Sequence, residues 1–113
     1  RSMETMTSVI AGYRTPSGSS PGSFGTVSII RGLCFGSNWV DYSAPSGLIG
    51  WYEIETDSSS SFASPDTFYR GVKESVPLSV STTTWVRARA CNSIGCNSWK
   101  NGNQTATYTS GCL

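Results

Sequence analysis

Residues 84–99 read TWVRARACNSIGCNSW, from Thr84 to Trp99. Trp85, Arg87 and Arg89 fall on one side of an extended chain, and Thr84, Val86, Ala88 and Ala90 on the other. This is the period-two alternation of a half-buried strand. Cys91 and Cys96 then flank Asn92, Ser93, Ile94 and Gly95, a turn-forming insert of the kind a disulfide can pin. Trp99 begins the return strand. The segment is therefore a β-hairpin, and it places the chain among β-proteins.

The rest of the composition agrees. A length of 113 residues allows one domain with one modest core. Charged residues make up 13% and the net charge is +1, so there is no basic field to hold a phosphate backbone, and nucleic acid is not expected as a partner. Apolar runs such as Val27 to Ile30 fall far short of the roughly 20 residues that span a bilayer, so no membrane span is expected. Abundant Ser, Thr and Gly would also suit a linker, but four Trp and five Tyr argue for a packed domain. Four cysteines and no histidine exclude the mixed Cys/His zinc sites. An all-cysteine zinc site needs two short Cys pairs, and only Cys91 and Cys96 form one. Two disulfides in an oxidising compartment are the better reading, which points to an extracellular or cell-surface location. Arg1, Ser2 and Met3 read as a vector remnant and start codon, with no apolar signal region after them.

Residues 1–20 combine a β-like stretch, Thr7 to Tyr13, with most of the Pro, Ser and Gly cluster TPSGSSPGS (residues 15–23), and read as a flexible or strand-like N-terminal linker. Residues 21–113 carry the compact domain. Strand candidates recur there with turn residues between them, the pattern of an all-β sandwich. They are Gly25 to Arg31, Ser37 to Ser43, Ile49 to Thr56, Ala63 to Arg70, Val72 to Val80, Thr83 to Cys91 and Asn97 to Thr109.

The runs VDYSAPSGLIGWYEIET and PLSVSTTTWVRARACNSIGCNSW resemble a bacterial extracellular fibronectin type III domain over about the last 90 residues. Tyr42, ahead of Ser43, Ala44 and Pro45, takes the slot of the family's inward Trp. Tyr52, Glu53 and Ile54 match the third strand's Tyr-x-hydrophobic signature, and Leu78 matches the family's Leu. Six residues on, Thr84 stands where the family has an inward Tyr, which removes the usual corner hydrogen bond. The resemblance implies an immunoglobulin-like sandwich of about seven antiparallel strands. It also sets Cys34 and Cys112 at one pole, where a Cys34–Cys112 bridge needs Cα atoms within about 7 Å, and a Cys91–Cys96 bridge at the other.

In that topology the third, sixth and seventh strands share a sheet, whose outward face would carry Trp51, Glu53 and Glu55 beside Trp85, Arg87, Arg89 and Trp99. The expected neighbours are Trp51 with Arg89, Glu53 with Arg87 and Trp85 with Glu55. Two uses of this face stay open. Guanidinium groups on the indoles would make it a structural ladder. Bare indoles would make it a platform for sugar rings built from Trp51, Trp85, Trp99, Arg87, Arg89 and Glu53. Trp39 and Asp41 face outward on the opposite sheet. Residues 57–66, DSSSSFASPD, read as a solvated turn rather than a calcium loop, because the Asp-x-Asp spacing is absent. Asn103-Gln104-Thr105 is a formal glycosylation sequon.

Catalysis is not expected. There is no His, the Gly18 to Gly22 match to Gly-x-Ser-x-Gly lies in the linker, and Glu53 and Glu55 face arginines on a flat sheet. No cofactor or metal is called for. The expected role is a spacer or interaction module whose partners are neighbouring domains of a larger secreted protein. The alternatives are a polysaccharide-binding module and a subunit of an assembled appendage or phage particle, joined to another copy of the protein.

Overall fold

The computed structural model describes residues 18–112. Seven strands follow one another: β1 (Val27–Arg31), β2 (Ser37–Tyr42), β3 (Trp51–Asp57), β4 (Asp66–Gly71), β5 (Ser75–Ser79), β6 (Trp85–Cys91) and β7 (Lys100–Asn101). They form two antiparallel sheets, β1-β2-β5 and β4-β3-β6-β7. The architecture is the expected all-β sandwich, with no helix among the described residues.

Alternation explains the layering. The inward residues of β1, β2 and β5 are Val27, Ile29, Val40, Tyr42, Val76 and Leu78, and those of β3 and β6 are Tyr52, Ile54, Val86, Ala88 and Ala90; all are buried in one cluster. Phe24, just ahead of β1, completes an aromatic group with Tyr42 and Tyr52, its ring centroids 5.4 and 6.1 Å from theirs. The two tyrosine rings are 4.6 Å apart. Both hydroxyls reach the β4–β5 connection: Tyr42 donates to the Lys73 carbonyl and Tyr52 to the Glu74 carboxylate. Burial, with the Glu74 carboxylate as a hydrogen-bond partner, pushes the Tyr52 phenol up to about 12.

Every expected strand except the one from Ser37 begins two or three residues later, at Val27, Trp51, Asp66, Ser75, Trp85 and Lys100. The largest departure is the last one. The expected strand Asn97 to Thr109 shrinks to Lys100–Asn101, with isolated bridges on either side, because side-chain amides take the place of ladder bonds. Ala90 N donates to Asn97 Oδ1 at 2.8 Å, Ile29 N donates to Asn103 Oδ1 at 2.8 Å, and Gln104 Nε2 donates to the Ile29 carbonyl at 2.8 Å. The segment thus crosses from β6 to the edge of β1, where Gly102 bridges Val27 in parallel. A side chain at Gly102 would collide with Ile29, so glycine permits this close approach. The sequon residue Asn103 serves here as a backbone partner.

Both poles are closed by sulfur. Cys34 and Cys112 are joined with Cα atoms 3.9 Å apart, and Cys91 and Cys96 with Cα atoms 4.0 Å apart. At the second pole the buried Asn92 gathers three segments. Its Nδ2 donates to the carbonyls of Ser19 and Leu48, while its Oδ1 accepts from Ile94 N and Gly95 N. Ser19, expected in the linker, is therefore tied to the sandwich, as is Gly22, whose N–H is bonded to the Ser46 carbonyl. The stretch Thr7 to Tyr13 lies outside the described residues. At Thr84, where the resemblance led to the expectation of a tyrosine, Oγ1 donates to the Thr82 carbonyl at 3.0 Å.

Candidate functional site

The outward face of β4-β3-β6-β7 gathers the expected site residues, but in a different register. Glu53 lies opposite Arg89, Glu55 opposite Arg87, Trp51 opposite Cys91 and Asp57 opposite Trp85. The expected pairs Glu53 with Arg87, Trp51 with Arg89 and Trp85 with Glu55 are thus each corrected by two residues. A shift of two keeps every side chain on its face, so the alternation that set the face could not set the partners.

Arg87 donates through Nε (3.0 Å) and Nη2 (2.7 Å) to Glu55 Oε1. Arg89 reaches Glu53 Oε1 at 2.9 Å through Nε and at 2.8 Å through Nη2. The other oxygen of Glu53 accepts the Trp51 indole N–H at 2.9 Å and lies 3.7 Å from Arg70 Nε. Around these pairs the guanidinium groups lie on rings. Arg87 sits 4.4 Å from the centre of Phe62 and 4.6 Å from that of Trp99, Arg89 lies 4.3 Å from Trp99, and Arg70 lies 4.7 Å from Trp51. Each stack contributes about 0.5–2 kcal/mol according to how far it is desolvated. Trp85 sits on the same face with 39% of its surface exposed, and among the described residues no arginine covers it.

Two members of this network were not foreseen, Arg70 and Phe62. Arg70 joins because β4 pairs with β3 across a register shift at Ile54/Glu55 that sets Arg70 opposite Glu53. Alternation in residues 66–71 carried a signal for the face but not for the partner. Phe62 is buried in the serine-rich loop, which folds over it as the Asp57 carboxylate accepts Ser59 N and Ser64 N. Asp57 is thereby engaged in closing its own turn.

Glu53 shows the electrostatic result. Burial alone raises its pKa, but the hydrogen bonds from Trp51 and Arg89 and the charges of Arg89 and Arg70 outweigh it and hold the carboxyl below its ordinary value of 4.5. A carboxyl held down in this way is no proton donor near neutrality. Because the folded pKa is the lower one, Glu53 contributes stability that is present above the ordinary carboxylate range and is lost as pH falls through the lowered value. Glu53→Gln should therefore cost about 1 kcal/mol at pH 7 and flatten the loss of stability below pH 4.5, read from urea melts across pH. An unchanged acid limb would show that Glu53 does not govern it.

The backbone frame can be compared with known proteins. No family model and no curated protein matches this sequence. Among solved structures, the fibronectin type III domain of human fibronectin type III domain containing protein 3 superposes with a TM-score of 0.61 at 20% identity, over 87% of this chain and 96% of that one. The chain has a fibronectin type III-like fold. At that identity the likeness extends to the sandwich itself, and the Trp/Arg/Glu ladder is described on this chain's own residues. The fibronectin type III-like domain thus carries a face whose cations, carboxylates and two of three indoles are already partnered with one another.

Proposed function

We propose that this fibronectin type III-like domain is a non-catalytic module of a larger secreted or surface protein of bacterial type, serving as spacer and contact point between neighbouring domains. The observation that carries this reading is the placement of exposed apolar side chains at the two poles. Leu48 (76% exposed) and Ile94 (45%) line a cleft with Gly18, where the described chain begins. Leu33 (65%) and Phe35 (55%) flank Cys34, which is bonded to Cys112 at the other end. Neighbours attached before residue 18 and after residue 112 would thus meet apolar surface at opposite poles. Exposed apolar residues next to chain junctions fit inter-domain contacts. Two disulfides in so small a domain suit an oxidising, extracellular setting.

The sugar-platform reading of Trp51 and Trp99 is disfavoured by the arginines lying on those rings, which among the described residues leaves Trp85 as the one uncovered indole of that face. Amide hydrogen exchange of the module alone and within its parent protein tests the proposal. Added protection should be confined to residues around Leu33, Phe35, Leu48 and Ile94. Protection on a sheet face instead, or at neither pole, would sink it. If the chain is instead a self-assembling subunit, sedimentation at high concentration will show oligomers of the isolated domain.

A further inference from the structure

The outward face of the other sheet, β1-β2-β5, is built differently. Ile30, Trp39 and Pro77 are paired across the three strands and make one apolar row, while Ser28, Asp41 and Ser75 make the next row on the same face. Ile30 is 46% and Trp39 39% exposed, and among the described residues no arginine or lysine stacks on this indole. Asp41 is the one charged side chain that the three strands present here. Its Oδ1 accepts the Ser75 hydroxyl at 2.6 Å, which fixes the carboxylate, and among the described residues Oδ2 accepts no hydrogen bond. Beside it a shallow cavity of about 470 Å³ is lined by Gly25, Thr26, Ser28, Asp41, Tyr42 and Ser43.

We infer that Trp39 and Asp41 form a binding site for a neutral, linear glycan, with a pyranose ring stacked on the indole and its hydroxyls bonded to Asp41, Ser28 and the cavity wall. The chemistry of the two rows selects this occupant. A sugar ring has an apolar C–H face and polar edges. The apolar row runs across two inter-strand spacings, roughly 10 Å or about two rings, and the polar row lies about 7 Å further along the strands. A protein partner would need about 800 Å² of complementary surface on each side, usually with arginine in it, and three apolar side chains in a field of serines do not provide that. A polyanion would meet a carboxylate and no cation. The inference is independent of the pole contacts proposed above, since it uses neither pole.

Tryptophan fluorescence and calorimetric titration with cellohexaose, xylohexaose and chitohexaose test it. At least one should bind in the range of about 0.1–5 mM. Trp39→Ala should weaken that binding tenfold or more and Asp41→Asn several-fold, while Trp85→Ala should leave it within twofold. Both tryptophans are surface residues, and far-UV circular dichroism verifies that each variant is folded. A wild-type chain silent to all three sugars at about 10 mM would overturn the inference. So would binding that survives Trp39→Ala, and loss confined to Trp85→Ala would move the site to the ladder face.

Discussion

Replacing Cys34 and Cys112 together by alanine is expected to lower the stability of the domain by about 4.5 kcal/mol, against about 2 kcal/mol for Cys91 and Cys96. The difference follows from the loops the two bridges close, with sequence separations of 78 and 5. Cross-linking removes conformations from the unfolded chain in proportion to the logarithm of the loop. The short bridge has a compensating disadvantage when lost, since Cys91 is fully buried and its replacement removes packed sulfur worth about 1 kcal/mol more. Even so the long bridge should dominate. Urea melts of the two double variants decide the matter, and the Cys34/Cys112 variant should also show a steeper denaturant dependence because its unfolded state is larger. Equal losses would mean that the long bridge acts through local native contacts, such as Phe35 N to the Gly111 carbonyl, rather than through the unfolded chain.

The second large effect belongs to Asn38, a polar residue in an otherwise inward apolar row and only 1% exposed. Its Nδ2 donates to the carbonyls of Gly36 at 2.8 Å and Thr107 at 3.0 Å, and its Oδ1 accepts Thr107 N at 3.3 Å. The C-terminal segment forms no regular strand at this point, so this amide takes the role of a sheet ladder in holding residue 107 to β2. Asn38→Ala leaves the N–H and the carbonyl of Thr107 without this partner, at roughly 1 kcal/mol or more each, while the Gly36 carbonyl keeps its bond from Val80 N, and the change should cost about 2 kcal/mol. Hydrogen exchange should show the loss first in residues 105–111, with β3 and β6 still protected. Asn38→Asp restores only the acceptor, and recovery to wild-type stability by that variant would show that the donated bonds are not what matters.

Much of the architecture could be read from residue order because alternation survives wherever one face is buried. Trp85 to Cys91 and Ser37 to Tyr42 carry it almost without interruption, and their inward sets form the core. Partners across a sheet are another matter. No turn joins β3 to β6, so nothing local fixes their offset, and a two-residue slide leaves every side chain on its face. Glu53 consequently meets Arg89 where Arg87 was expected. Arg70 entered through an irregularity in β4 pairing that has no signature in composition. The final segment, predicted as a strand from Asn97 to Thr109, keeps only Lys100–Asn101 as regular strand. Asn97, Asn103 and Gln104 instead turn to the backbone and replace the ladder.

The link between Cys34 and Cys112 also decides how the domain responds to tension applied at its two ends. The load passes from residue 34 directly to residue 112, so β2 to β7 lie in a shielded loop, and only β1, which precedes Cys34, can be peeled away. While the sulfurs stay joined, the module can lengthen only by what the segment before Cys34 releases. Once a reductant opens them, the released loop can add about 265 Å of reach at roughly 3.4 Å per residue, so the redox state of the surroundings sets the tether's extensibility.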